Sequence, residues 1–197
     1  METPPTGACR YTYGDYRRWC GEVRSELMNG EVWRRPCSPD IAHQDIVGSL
    51  YCQLRNALGD KPDEVLISPV DVRLPRGSEA DDDIDTVVQP DVMLVCDPTK
   101  IDRRGVRGAP DWVAEVLSPS TAARDQIAKR RIYERAGVRE YWLVHPTDRT
   151  LTVHRLVDGR YGIPEISELK GSTALAILPD VTIAWDALVA RLPAVEA

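Results

Sequence analysis

The 197 residues are 43% hydrophobic, enough to bury one sizeable core, and no apolar run approaches a membrane span. A net charge of −6, from 25 basic and 31 acidic residues, argues against a sequence-blind basic coat for nucleic acid but leaves room for a local basic face. The five cysteines (Cys9, Cys20, Cys37, Cys52, Cys96) are odd in number and form no CxxC pair. That argues against a disulfide framework or structural zinc and fits a reducing cytoplasm.

The start, Met1-Glu2-Thr3-Pro4-Pro5, has neither a basic nor an apolar leader region, so no signal peptide is expected. Residues 11–20 read as a short helix. Segments 22–28 and 31–35 flank Asn29-Gly30, the dipeptide suited to a type I′ hairpin. Ser38-Pro39-Asp40 then opens a helix with Ile46, Val47, Leu50, Leu54 and Leu58 at helical spacing, ending at Gly59. Segments 65–69 and 70–74 read as strands, 77–85 as a mobile acidic loop. Asp81, Asp82, Asp83 and Asp85 lack the glycine and terminal glutamate of an EF-hand loop.

Segments 90–96 and 111–117 are two more strands, joined by a loop rich in Arg and Gly. Ser118-Pro119-Ser120-Thr121 supplies N-cap hydroxyls for a helix over 121–136, with Gly137 at its left-handed C-cap. A strand over 140–145, a hairpin of 150–156 and 161–167 around Asp158-Gly159, and a helix over 185–191 complete the chain. The order predicts one α/β domain over residues 1–197: a mixed sheet with a helix on each face.

Chemistry concentrates on the two middle strands. In Asp111–Leu117, Val113, Glu115 and Leu117 share one face, Trp112, Ala114 and Val116 the other, and both faces are apolar. Glu115 is thus a carboxylate where unpaired carboxylates are seldom found. Asp91 opens a similar strand and, if the two pair antiparallel, falls beside Glu115. Two such acids need a cation between them, and all-oxygen ligands suit Mg²⁺ or Mn²⁺. On the following helix Asp125, Lys129 and Tyr133 form one stripe at i, i+4 and i+8 beside Ala128, Ile132 and Ala136. That sets Lys129 at the edge of the buried face, within reach of the acids. A plain buried ion pair between Glu115 and Lys129, without catalysis, weighs equally on spacing alone.

Three further groups have ordinary readings. Glu26, with Glu22 and Arg24 on one strand face, reads as a solvated surface acid, and His43, on the apolar stripe of its helix, as a hydrogen-bonded core histidine. Arg103, Arg104 and Arg107 sit in a loop whose tip is roughly 20 Å from the acids at about 3.3 Å per residue, suited to a flanking phosphate or to a solvated turn.

Gln89-Pro90-Asp91-Val92, the block Gly108-Ala-Pro-Asp-Trp-Val-Ala-Glu-Val-Leu-Ser-Pro-Ser-Thr121, then Arg124-Asp125, Lys129 and Tyr133 to Leu143 closely resemble the Uma-two family. These are bacterial restriction-endonuclease-like proteins of the PD-(D/E)XK superfamily. The likeness extends to Glu26–Gly30, His43-Gln44 and Ile177–Trp185, most of the chain. It implies a restriction-endonuclease-like core, with Asp91 as the PD aspartate and Glu115 as the (D/E) position. The motif lysine is implied on the helix, at Lys129, because Leu117 stands at its usual place. His145 stands where relatives show an acidic residue. The resemblance further implies Mg²⁺ or Mn²⁺ on Asp91, Glu115 and the backbone carbonyl of Val116, and auxiliary roles for Glu26, His43, Gln89, Asp125 and Tyr133. The implied substrate is DNA more than RNA, with a homodimer to cut two strands. The alternative is a non-catalytic nuclease-like scaffold that binds nucleic acid or protein.

Overall fold

The computed structural model describes residues 9–19, 24–34, 40–118 and 122–193. Helix α1 (Tyr13–Tyr16) is a single turn, shorter than the expected 11–20, because Gly14 and two tyrosines are weak helix formers. Cys20, Cys37 and the expected ends at 22–23, 35, 38–39 and 119–121 lie outside the described residues. Strands β1 (Ser25–Met28) and β2 (Glu31–Arg34) form the hairpin, with Asn29 and Gly30 at φ 53° and 83°, as a type I′ turn requires. Helix α2 (Ile41–Leu58) starts where the Asp40 carboxylate accepts the His43 backbone N–H at 2.7 Å and stops at Gly59, φ 55°.

Then follow β3 (Glu64–Ile67), β4 (Val72–Arg73), β5 (Val87–Val88), β6 (Val92–Val95), β7 (Ile101–Asp102), β8 (Gly105–Arg107) and β9 (Trp112–Val116). A π-helical segment, Arg124–Lys129, continues into α3 (Arg130–Ala136), which ends at Gly137, φ 91°. The chain closes with β10 (Glu140–His145), β11 (Thr150–Val157), β12 (Arg160–Tyr161), β13 (Glu165–Glu168), β14 (Ser172–Leu175), β15 (Leu178–Ala184) and α4 (Asp186–Val189).

The fold is mixed α and β, with two larger sheets where the element order predicts one. One runs β2-β1-β5-β4-β8-β7; the other runs β12-β11-β10-β9-β6-β3, with β13 also on β11. β9 sits centrally in the second, antiparallel to β6 and parallel to β10. On one face of this sheet Val92, Leu94, Trp112, Ala114 and Trp142 pack against Ile46, Leu50 and Leu54 of α2. On the other, Met93, Val95, Val113 and Leu117 meet Ile132 and Tyr133 together with Met28, Val72, Val88 and Val106 of the first sheet. Burial on both faces explains the continuous apolar runs.

The Arg- and Gly-rich connection is not an open loop: β7 and β8 form a hairpin whose second strand pairs with β4. The acidic segment is likewise engaged. Wholly buried Arg73 pairs with Asp81 and, at 2.7 Å, with Asp102; Arg107 reaches Asp81 at 2.8 Å, Arg17 reaches Asp82 at 2.9 Å, and Arg76 reaches Asp85 at 2.9 Å. Among the described residues no helix is long and apolar enough to cross a membrane.

Candidate active site

β6 and β9 pair Leu94 with Trp112, Met93 with Val113 and Val92 with Ala114, so one more step of this register sets Asp91 opposite Glu115. Strand alternation gives Glu115 the face of Met93, Val95, Val113 and Leu117, while Asp91 stands just before β6 at the end of the sheet. Leu117, at the usual lysine position, is buried in that core.

Into this face the π-helical segment lowers Lys129, which is wholly buried and not at the edge of the core. Its Nζ lies 2.7 Å from Glu115 Oε1, 2.9 Å from Glu26 Oε1 and 3.6 Å from Asp125 Oδ1. π-helical turns are rare and recur at functional sites, and this one keeps Arg124, Asp125 and Lys129 all turned inward. Arg124 lies 3.9 Å from Glu26 Oε2 and 3.4 Å from Asp125. The Tyr133 hydroxyl donates to Glu115 Oε1 at 2.8 Å. Burial, and then Glu115, push its pKa well above the ordinary phenol, so it stays a donor.

Glu26 corrects the surface reading. It is wholly buried, and its Oε1 also accepts the Gln89 backbone N–H at 2.7 Å. The reason is the stacking of β1 over the second sheet: all four residues of β1 are buried, so neither face meets solvent. Asp91, 4% exposed, uses Oδ2 to accept the Val116 N–H at 2.9 Å, and the same oxygen lies 3.1 Å from His43 Nε2. His43 therefore touches an acid of the site from the start of α2. His145 stands apart, with Nε2 3.2 Å from Thr152 Oγ1.

Residue types alone do not single out Arg124, Asp71 or Tyr16, which the fold brings to the site. The Gln89 side chain donates to Asp71 Oδ1 at 2.9 Å and accepts from Arg24 at 3.1 Å, while the Tyr16 hydroxyl reaches Asp71 at 3.0 Å. The one pointer to this group in the sequence is Gln89, two residues before Asp91.

Behind the cluster, the Tyr141 hydroxyl donates to the Asp125 carbonyl at 3.0 Å and its ring lies 6.0 Å from that of His154. Burial, and then Arg130, hold the His154 pKa below 6.5. An unfolded histidine takes its proton first as pH falls through about 6.5, so this neutral ring stabilises the fold above that pH. The contribution is lost as pH falls toward the lower folded pKa. In melts from about pH 7.5 to 5, His154→Phe should lose less melting temperature than the wild type. Parallel pH profiles would remove His154 as a source of acid sensitivity.

Among the described residues Glu26, Asp91, Glu115 and Asp125 carry four formal negative charges against the two positive charges of Arg124 and Lys129. Among the described residues no three carboxylate, imidazole or thiol groups form a ready cage for a cation. Mg²⁺ is ordinarily held by one or two carboxylates, with water and substrate phosphate completing its shell. An acid-rich pair of strand carboxylates fits that habit.

A family model described as "Putative restriction endonuclease" (Uma2) matches residues 13–186. The chain belongs to the Uma2 family. A solved structure described as "a putative nuclease belonging to DUF820 from Anabaena variabilis" shares the fold at TM-score 0.69 and 17% identity, over 88% of this chain and 93% of that one. No curated protein matches the chain. The Uma2 match spans every acid of the cluster, and Lys129 with them.

Proposed function

We propose that this Uma2 protein is a metal-dependent endonuclease that hydrolyses phosphodiester bonds, in DNA more than in RNA. One observation carries the reading: a buried lysine meets three acids from separate elements, Glu26, Glu115 and Asp125, beside the strand that Asp91 opens. Asp91, Glu115 and the Val116 carbonyl would hold Mg²⁺ or Mn²⁺, with Glu26 alongside. When bound, the ion supplies an activated water and neutralises charge on the phosphoryl oxygens.

The chain's own groups do the rest. Lys129 presents its ammonium to the developing phosphoryl charge. Tyr133 fixes the Glu115 carboxylate by its hydrogen bond, and His43 with the Val116 N–H fixes Asp91. A homodimer, cutting two strands together, belongs to the same proposal; sedimentation with and without duplex tests it.

The second reading, a non-catalytic nuclease-like scaffold, is favoured by one fact: Lys129 already bridges Glu26 and Glu115, and Arg124 lies 3.9 Å from Glu26. Cleavage of single- and double-stranded DNA and of RNA, in Mg²⁺ and in EDTA, separates the two. The expected result is Mg²⁺-dependent cutting that Glu115→Ala abolishes, with a Mg²⁺-dependent stabilisation of about 2.7 kcal/mol at 100 times the dissociation constant. No cutting and no melting shift on any substrate would leave the scaffold reading.

A further inference from the structure

A cleft of about 510 Å³ opens beside the cluster, within the roughly 300–1,000 Å³ of small-ligand sites. Leu66, Pro69, Val70 and Ile101 supply its apolar surface. Tyr16, Asp71 and Gln89 supply hydrogen-bonding groups, and Arg103 and Arg104, both exposed, supply positive charge. The cleft touches the site through Gln89, whose side chain lines it while its backbone N–H donates to Glu26.

The parts are held in fixed relation. Gly105 follows the two arginines with φ 115°, and a Cβ there would lie 2.2 Å from the Asp71 carbonyl oxygen. That same oxygen accepts the Val106 N–H at 2.8 Å, so the arginine turn is seated on the backbone of Asp71. The Asp71 side chain is held as well: Oδ1 accepts from Tyr16 at 3.0 Å and from Gln89 at 2.9 Å. A carboxylate has acceptor capacity beyond two bonds. The other acid of the lining, Asp102, is engaged by Arg73 at 2.7 Å and by the Arg104 N–H at 2.7 Å. Both oxygens of Asp102 are thus engaged, whereas both bonds to Asp71 fall on Oδ1, so among the described residues Asp71 Oδ2 is the acceptor that the cleft offers.

We propose that this cleft takes one unpaired nucleotide of the strand that flanks the scissile bond. The identity of that strand rests on the nuclease reading above. The base lies on the apolar surface, its phosphate meets Arg103 and Arg104, and its edge donates to Asp71. A carboxylate complements the two adjacent N–H donors of guanine; thymine presents one N–H between two carbonyls, which a carboxylate repels.

The test is calorimetric titration of the full chain in EDTA with dGMP and with dTMP, which requires no cleavage. The expected result is about tenfold tighter binding of dGMP. Replacing both exposed arginines by alanine should weaken both nucleotides, and Asp71→Asn should erase the preference while the variant melts cooperatively. Equal affinity for the two nucleotides overturns the base assignment, and affinities indifferent to Arg103→Ala and Arg104→Ala overturn the site. A chain that selects dGMP but cuts nothing keeps the cleft and sinks the nuclease reading. An active nuclease that binds neither nucleotide does the reverse.

Discussion

Replacing Lys129 by methionine is expected to destabilise the metal-free protein by about 3–5 kcal/mol and to slow DNA cleavage by about 10²–10³-fold. The stability loss follows from burial. Lys129 is wholly enclosed, 2.7 Å from Glu115 and 2.9 Å from Glu26, and methionine keeps most of its stem while removing its charge. Two enclosed acids then lose the cation they share. The Tyr133 hydroxyl still donates to one and the Gln89 N–H to the other, but neither brings a charge. Added Mg²⁺ should return part of the stability, because an ion that binds only the folded state adds to it. The slower cleavage follows from losing an ammonium that meets charge developed only in the transition state. Thermal melts in EDTA and Mg²⁺, with single-turnover cleavage, measure each effect separately. A variant that melts and cuts like the wild type would show that Lys129 serves neither purpose.

Much of the scaffold that carries this site is legible in the order of residues alone. The α2 stripe with Asp40 and Gly59, and the apolar runs of β9 and β10, each combine a clear period with a stop signal, so local chemistry suffices to find them. The remainder depends on contacts between distant segments. β5, β7 and β8 have two or three residues each and exist only because the first sheet pairs them.

Burial of Glu26 is of the same kind: Ser25–Met28 looks half-polar until a second sheet covers it. The π-helical turn, too, carries no distinguishing residue pattern, and ordinary α-helical spacing places Lys129 at the edge of the core. Glu140 sharpens the contrast. It is also wholly buried, but it is served by the N–H groups of Trp142 and Ala176, each at 2.7 Å. Among the described residues its nearest cationic atom, on Arg155, is 3.9 Å away, against 2.9 Å from Lys129 to Glu26. A buried acid satisfied by neutral donors is structural; the acids around Lys129 are different because charge meets charge there, with acid to spare.

That excess makes Glu26 the sharper test. Glu26→Ala should cost about 3–5 kcal/mol, since it empties a buried site and strips acceptors from the Gln89 N–H and from Lys129. Glu26→Gln should behave otherwise. The amide oxygen can still accept from the Gln89 N–H, and one negative charge leaves a cluster that among the described residues holds four against two cations. Relief of like-charge repulsion offsets the lost ion pair, so the glutamine variant should melt within about 1 kcal/mol of the wild type in EDTA. In Mg²⁺ it should fall behind, because the same missing charge weakens the hold on a divalent ion. The two melts thus move apart for an acid that helps hold the ion and move together for one that is merely structural. If Glu26→Gln gains as much from Mg²⁺ as the wild type does, Glu26 belongs to the ion-pair network alone, and the metal is held by Asp91 and Glu115 without it.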